Sequence, residues 1–149
     1  MKGPNSTWPR AQRVMLIAAG LTCATVSPVL AQKATRERPP GVTDSAIAVG
    51  RALFHGTANC AGCHGVEGQG SEAAPALTDA VWLHGDGSYE MISKLVLHGV
   101  TRYESTEGKP MPMRGWAPIS DDQVRAVAAY VWSIGPKGRG TALENRRKN

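Results

Sequence analysis

The segment Cys60-Ala61-Gly62-Cys63-His64 limits what this chain can fold into more than any other stretch. It contains two of the three cysteines of the 149-residue chain, with a histidine directly after the second. Two thiols at this spacing, followed by an imidazole, are consistent with a covalent porphyrin site, a zinc site or a thioredoxin-like redox pair. A surface turn that holds two cysteines by chance is the fourth interpretation.

Attachment of a c-type haem explains the spacing best. Each thiol can add across one vinyl group of the porphyrin, and His64 is then held under the ring, where it can ligate the iron. A zinc site would need four nitrogen or sulfur ligands, and only Cys60 and Cys63 remain once Cys23 leaves with a leader segment. No βαβ pattern surrounds the motif, which argues against a thioredoxin-like pair. We therefore expect one haem c, bound covalently through Cys60 and Cys63.

Residues 1–31 have the pattern of a cleaved signal peptide. Three basic residues and no acidic one accompany an apolar run over residues 14–26, and small residues precede a cut after Ala31. The run is short for a membrane span and is followed by polar residues and a proline. The net charge is +5, of which the leader contributes three, so the remaining +2 does not indicate nucleic-acid binding. We expect a periplasmic protein with no membrane span in its mature chain and no nucleic-acid partner.

The rest of the chain divides into three parts. Residues 32–42 are rich in proline and basic residues and are expected to be a flexible lead-in. Residues 43–135 form the predicted domain, and residues 136–149 are expected to be a frayed, basic polar tail. Inside the domain, three stretches have helical apolar spacing between a capping residue and a glycine. The predicted helices begin after Thr43 or Asp44, after Asp86 or Ser88, and after Ser120, and they end before Gly56, Gly99 and Gly135. No stretch has a convincing strand pattern, so the predicted fold class is all-α.

Across roughly residues 43–134, the order of these features resembles class I cytochromes c. After the first helix come the haem motif, Pro75-Ala76-Leu77, Met111-Pro112 and a closing helix with Ala129-Tyr130-Val131. The resemblance implies three to four helices wrapped around one covalent haem, in an electron carrier that is not itself an enzyme. The turn Trp82-Leu83-His84-Gly85 and the Met-Pro loop are also similar to haem-c domains of bacterial terminal oxidases and of dehydrogenase-linked cytochromes.

The same resemblance implies the iron ligands. His64 would be the proximal ligand, with its Nδ1 hydrogen-bonded to the carbonyl of Pro75, and Met111 would be the distal ligand. Met113 is a competing thioether, but a methionine followed by proline is the family's ligand pattern. The resemblance further implies a close crossing of the first and last helices at Gly50, Phe54, Val127 and Tyr130.

Several other residues could take part in the site. The indoles of Trp82 and Trp116 could each donate a hydrogen bond to a haem propionate, and plain packing is an equal alternative. A further histidine could ligate the iron in a bis-His site, although helix-end and turn positions favour structural roles. These histidines are His55, His84 and His98. A basic set at Lys94, Arg102, Lys109 and Arg114 could steer an acidic partner or could be ordinary solvated surface.

The expected function is therefore an exported one-electron carrier with one haem and His/Met ligation. Its redox partners would be a periplasmic dehydrogenase, an oxidase or another cytochrome. Two alternatives remain open: a permanent haem-c subunit of a dehydrogenase complex, and a haem enzyme or gas sensor with a labile distal ligand. Carbon monoxide would distinguish the sensor, because only an open or weakly held distal position binds it.

Overall fold

A computed structural model describes residues 37–148, so the expected signal peptide and most of the lead-in lie outside the described residues. The helices are α1 (Asp44–His55), α2 (Ala61–His64), α3 (Tyr89–His98), α4 (Asp121–Ile134) and α5 (Pro136–Lys148). A 3-10 turn, Met113–Trp116, lies between α3 and α4. The described part of the chain contains no strand, only an isolated bridge between Val100 and Met111, and the all-α prediction is confirmed. Within it, no helix combines the length and apolarity that a membrane crossing requires.

The capping residues explain the starts of the three long helices that the sequence predicts. Thr43 Oγ1 accepts a hydrogen bond from the backbone of Ala46 at the start of α1, and Ser88 does the same for Met91 in α3. Ser120 and Gln123 form a reciprocal capping box before α4. Side-chain oxygens thus satisfy amide donors that have no partner inside the helix, and the predicted bounds are confirmed to within a residue.

The core is organised by the crossing of α1 and α4. A Cβ on Gly50 would lie 1.9 Å from the carbonyl oxygen of Ala126, so only glycine permits the observed approach. Phe54 is completely buried and packs edge-on against Tyr130 with ring centroids 5.2 Å apart. Val127 is 1% exposed at the same crossing. The close crossing implied by the family resemblance is therefore present.

The tail after Gly135 differs from the expectation. Residues 136–148 form α5, whereas the sequence predicts a frayed tail there. Pro136 is well suited to the first turn of a helix. Gly138 lets α5 approach α4 closely, since a Cβ there would lie 2.3 Å from the carbonyl oxygen of Trp132. Lys137 Nζ lies 3.0 Å from Asp86 Oδ2. Packing on α4, which the polar composition does not reveal, stabilises this helix.

Candidate functional site

A cleft with almost entirely apolar walls opens between α1, α3, α4 and the loops that follow α2 and α3. It encloses about 400 Å³, including the solvent at its mouth. Its walls are formed by Phe54, Cys60, His64, Leu77, Trp82, Ile92, Leu95, Val96, Met111, Val127 and Val131. An apolar cleft that contains one thiol, one imidazole and one thioether fits a large hydrophobic cofactor with a metal at its centre.

Helix α2 arranges the two thiols. The His64 amide donates to the Cys60 carbonyl at 2.9 Å, and the positive φ of Gly65 (+83°) ends the helix. Cys60 is half-buried and Cys63 is exposed, and neither forms a disulfide. Burial raises the pKa of Cys60 to about 11, so its thiol is neutral near pH 7 and can lie against the apolar wall. The short helix thus places the Cys60 thiol in the cleft wall and leaves the Cys63 thiol exposed.

His64 is buried, and its ring is hydrogen-bonded to the backbone of a neighbouring loop. It is 8% exposed, and its Nδ1 lies 2.9 Å from the carbonyl oxygen of Pro75. Burial lowers the pKa of His64, with the Pro75 carbonyl acting in the opposite direction. A neutral imidazole that donates from Nδ1 keeps a lone pair on Nε2, which is the form that a metal ligand needs. The loop that carries Pro75 is tied back to the motif, because the Gly70 amide donates to the His64 carbonyl at 2.7 Å.

Of the two candidate methionines, the structure brings one to the cleft. Met111 is half-buried on the wall, and its backbone pairs with Val100 through hydrogen bonds of 2.8 and 2.9 Å. Met113 is 54% exposed and does not line the cleft. Sequence reasoning missed the role of Val100, because a single backbone bridge leaves no periodic pattern. Gly99 allows this pairing, since a Cβ there would lie 2.4 Å from the Met111 carbonyl oxygen.

The two candidate tryptophans are separated by the fold. Trp82 lines the cleft and lies against Gly87, where a Cβ would be 2.4 Å from the indole nitrogen. Trp116 is 86% exposed and does not line the cleft. We therefore retain Trp82 alone among the aromatic candidates for contact with a cofactor.

The other candidate side chains lie away from the cleft wall. His55 and His98 are exposed, and His84 is half-buried in its glycine turn. His55 Nε2 lies 3.4 Å from the Tyr130 hydroxyl, which supports a structural role. Between residues 37 and 148, no group of three or more histidine, cysteine or carboxylate side chains is arranged to hold a metal ion, so the zinc interpretation gains no support.

Two of the four basic residues named above form ion pairs. Lys109 lies 3.7 Å from Glu107, and Arg114 forms an ion pair with Asp121 at 2.5 Å. Lys94 and Arg102 are exposed. Sequence reasoning did not find the Arg114–Asp121 pair, because the two residues are seven positions apart and part of a 3-10 turn lies between them.

Comparison with known proteins identifies the family. The model of the cytochrome c family matches residues 47–135. The chain is 36% identical over 108 residues to the cbb3-type cytochrome c oxidase subunit CcoP of Azospirillum brasilense, which covers 69% of this chain and 36% of that protein. It is 38% identical over 85 residues to the CcoP subunit of Rhodobacter capsulatus, covering 52% and 26%. The chain thus spans only about a third of the length of these curated relatives, or less.

A solved structure has the same fold. Cytochrome CL from the marine methylotroph Methylophaga aminisulfidivorans is similar with a TM-score of 0.51 and 23% identity, over 77% of this chain and 73% of that one. Sequence, fold and cleft agree, and the family model covers more than half of the chain. The chain therefore belongs to the cytochrome c family, whose members bind haem c covalently and transfer electrons.

Proposed function

We propose that the chain is an exported monohaem cytochrome, a one-electron carrier whose iron has His64 and Met111 as axial ligands. The observation that carries this proposal is the presence of both side chains on one apolar cleft, although they come from distant parts of the sequence. Cys60 and Cys63 would hold the haem through two thioethers. The bound haem supplies a ferric/ferrous couple, and the chain provides its position and its surroundings.

The residues of the cleft are suited to an electron carrier. The hydrogen bond from His64 Nδ1 to Pro75 fixes the tautomer and the ring orientation of the proximal ligand. The thioether of Met111 and the apolar walls favour the reduced state and so raise the reduction potential. Ligands on both sides leave no vacant position for a substrate, which is why we favour a carrier over a haem enzyme or a gas sensor.

We further propose that the protein works in the periplasm with redox proteins as partners. Its similarity to proteins named as subunits of a cbb3-type cytochrome c oxidase supports a role in electron flow towards a terminal acceptor. The same similarity favours, as a second candidate, a haem-c subunit held permanently in an oxidoreductase complex. Co-purification of a large redox subunit with the native protein would support that second role over a free carrier.

Optical spectra of the purified protein, with and without carbon monoxide, test the ligation. The ferric wild type should show a weak sulfur-to-iron charge-transfer band in the far red, and the ferrous form should not bind carbon monoxide readily. Met111→Ala should abolish the band, lower the potential and open the iron to carbon monoxide.

Met113→Ala is the matched control and should leave the band in place. Loss of the band in this control but not in Met111→Ala would assign the ligand to Met113. A wild type that already binds carbon monoxide readily would favour the sensor or enzyme. Haem that acid–acetone extracts freely would contradict covalent attachment, and N-terminal sequencing that finds residues 1–31 retained would contradict cleavage after Ala31.

A further inference from the structure

We propose that Arg114 is a positioning residue for the distal ligand, which it holds at the cleft by anchoring the 3-10 turn Met113–Trp116 to the start of α4. The inference rests on the proposed ligation by Met111. The Arg114 guanidinium itself does not line the cleft, so any effect on the iron must pass through the backbone of the turn.

The turn adopts an unfavourable backbone conformation. Arg114 has φ +53° and Trp116 has φ +59°, and Gly115 between them has φ +64°. A positive φ is uncommon for residues with a side chain, and it is unusual for a residue as bulky as tryptophan. Two such residues within one short turn persist only where contacts outside the turn hold them in place.

The Arg114 side chain supplies such contacts. Its Nη1 donates to the carbonyl oxygen of Ile119 at 2.6 Å and its Nη2 to Asp121 Oδ1 at 2.5 Å. The Arg114 side chain is 26% exposed and that of Asp121 62%. Planar guanidinium nitrogens can engage two acceptors at once, which an ammonium group cannot do with the same geometry. Both acceptors lie at the start of α4, whose residues 126–132 are buried.

The anchored turn is continuous with the ligand segment. Met111 is followed by Pro112, whose fixed φ limits flexibility between the ligand and the turn, and the Gly115 amide donates to the Pro112 carbonyl at 3.1 Å. On the N-terminal side, the pairing with Val100 restrains Met111. The ligand segment therefore has a backbone restraint before it and a side-chain restraint after it.

The turn also lies close to the haem motif. A Cβ on Gly115 would be 2.8 Å from the carbonyl oxygen of Ala58, two residues before Cys60. If the turn relaxes, the distance between the segment of Met111 and the segment of Cys60 is free to change. Loss of the Arg114 anchor should thus let the sulfur leave the iron more often, without any change in the ligand itself.

The test compares Arg114→Met with wild-type holoprotein. We expect a weaker far-red band, a lower potential and a rise in carbon monoxide binding to the ferrous protein of about tenfold, the scale of one charge-assisted hydrogen bond. Arg114→Lys should recover part of the wild-type behaviour because it restores the charge but not both contacts. Asp121→Asn, which keeps the Ile119 contact, should also be intermediate.

Arg125→Met is the matched control. It removes the exposed ion pair between Arg125 and Asp122 on α4. The far-red band and carbon monoxide binding to the ferrous protein should stay unchanged. If Arg114→Met shows the far-red band and the carbon monoxide binding of the wild type, that result would overturn the inference. So would a variant that changes only the salt dependence of partner binding, since that result would assign Arg114 to partner steering. If Arg114→Met does not fold, the far-red band and carbon monoxide binding of the wild type in both Arg114→Lys and Asp121→Asn would equally overturn the inference. Absence of the band in the wild type would instead contradict the proposed ligation.

Discussion

The two sides of the cleft are built in different ways. On the proximal side, Cys60, Cys63 and His64 come from one five-residue segment, and helix α2 sets their relative positions. On the proposed distal side, the backbone of Met111 pairs with Val100, and the turn after it contacts the start of α4 through Arg114. The relative positions of Cys60, Cys63 and His64 are thus set within one short segment, whereas the position of Met111 depends on residues outside its own segment. We therefore expect substitutions outside the ligands to affect the distal side more.

The largest effect that separates the two sides is expected for Gly99→Ala. Gly99 has φ +73°, and its new Cβ would lie 2.4 Å from the Met111 carbonyl oxygen and 2.7 Å from the Met113 amide nitrogen. Backbone strain and overpacking together should cost about 2–5 kcal/mol, and the far-red band should weaken. Denaturant unfolding followed by spectra of both redox states measures the two effects.

Gly108→Ala controls for strain alone. Gly108 has a similar φ of +68°, but no described atom lies within 4 Å of its new Cβ. We expect a cost of about 1–2 kcal/mol from backbone conformation and an unchanged band. Equal losses in the two variants would show that contact with the Met111 segment is not what Gly99 provides.

A smaller effect, on the free energy of unfolding, is expected when the pH is lowered. The hydrogen bond and charge of Arg114 hold the pKa of Asp121 below its ordinary value of 3.8. The unfolded chain therefore binds more protons than the native protein at acidic pH. The stabilisation from this pair is complete well above pH 3.8 and is lost as the pH falls through the lowered pKa. Because Asp121 is exposed, the effect on the free energy of unfolding should be small.

Comparison of wild type with Asp121→Asn isolates this contribution from those of the other carboxylates. The difference in the free energy of unfolding should be constant above pH 5 and should shrink towards pH 2. The far-red band of the wild type should also weaken before global unfolding. A difference that does not vary with pH would contradict the pairing.

The smallest effect is expected for Pro75→Ala. His64 Nδ1 is bonded to the backbone carbonyl of Pro75, which every residue possesses, so the substitution keeps the acceptor. Residue 75 is exposed, and the change in stability should be within about 1 kcal/mol, mainly through the unfolded state. The potential and the spectrum should match the wild type. A marked fall in the potential would show that the proline ring itself orients the proximal loop.

Sequence patterns predicted the helices that have local signals. Thr43, Ser88 and Ser120 each cap a helix through contacts within three residues, and such contacts can be read from a linear pattern. Helix α5 has no comparable signal, because its stability comes from Gly138 lying against α4 and from Lys137 reaching Asp86. Trp116 shows the opposite failure. The sequence predicts that its indole contacts a propionate or packs, but it lies in a turn with positive φ and is 86% exposed.

The amino-acid sequence by itself determined the haem motif, the all-α class and the caps of the three long helices. These features depend on groups within a few residues of each other, so the chain order specifies them. Only the tertiary structure decided which methionine reaches the cleft, which tryptophan lines it and what Arg114 holds. Met111 pairs with Val100, and Arg114 contacts the start of α4. Contacts of this kind leave no periodic pattern in the sequence, so only the folded chain reveals them.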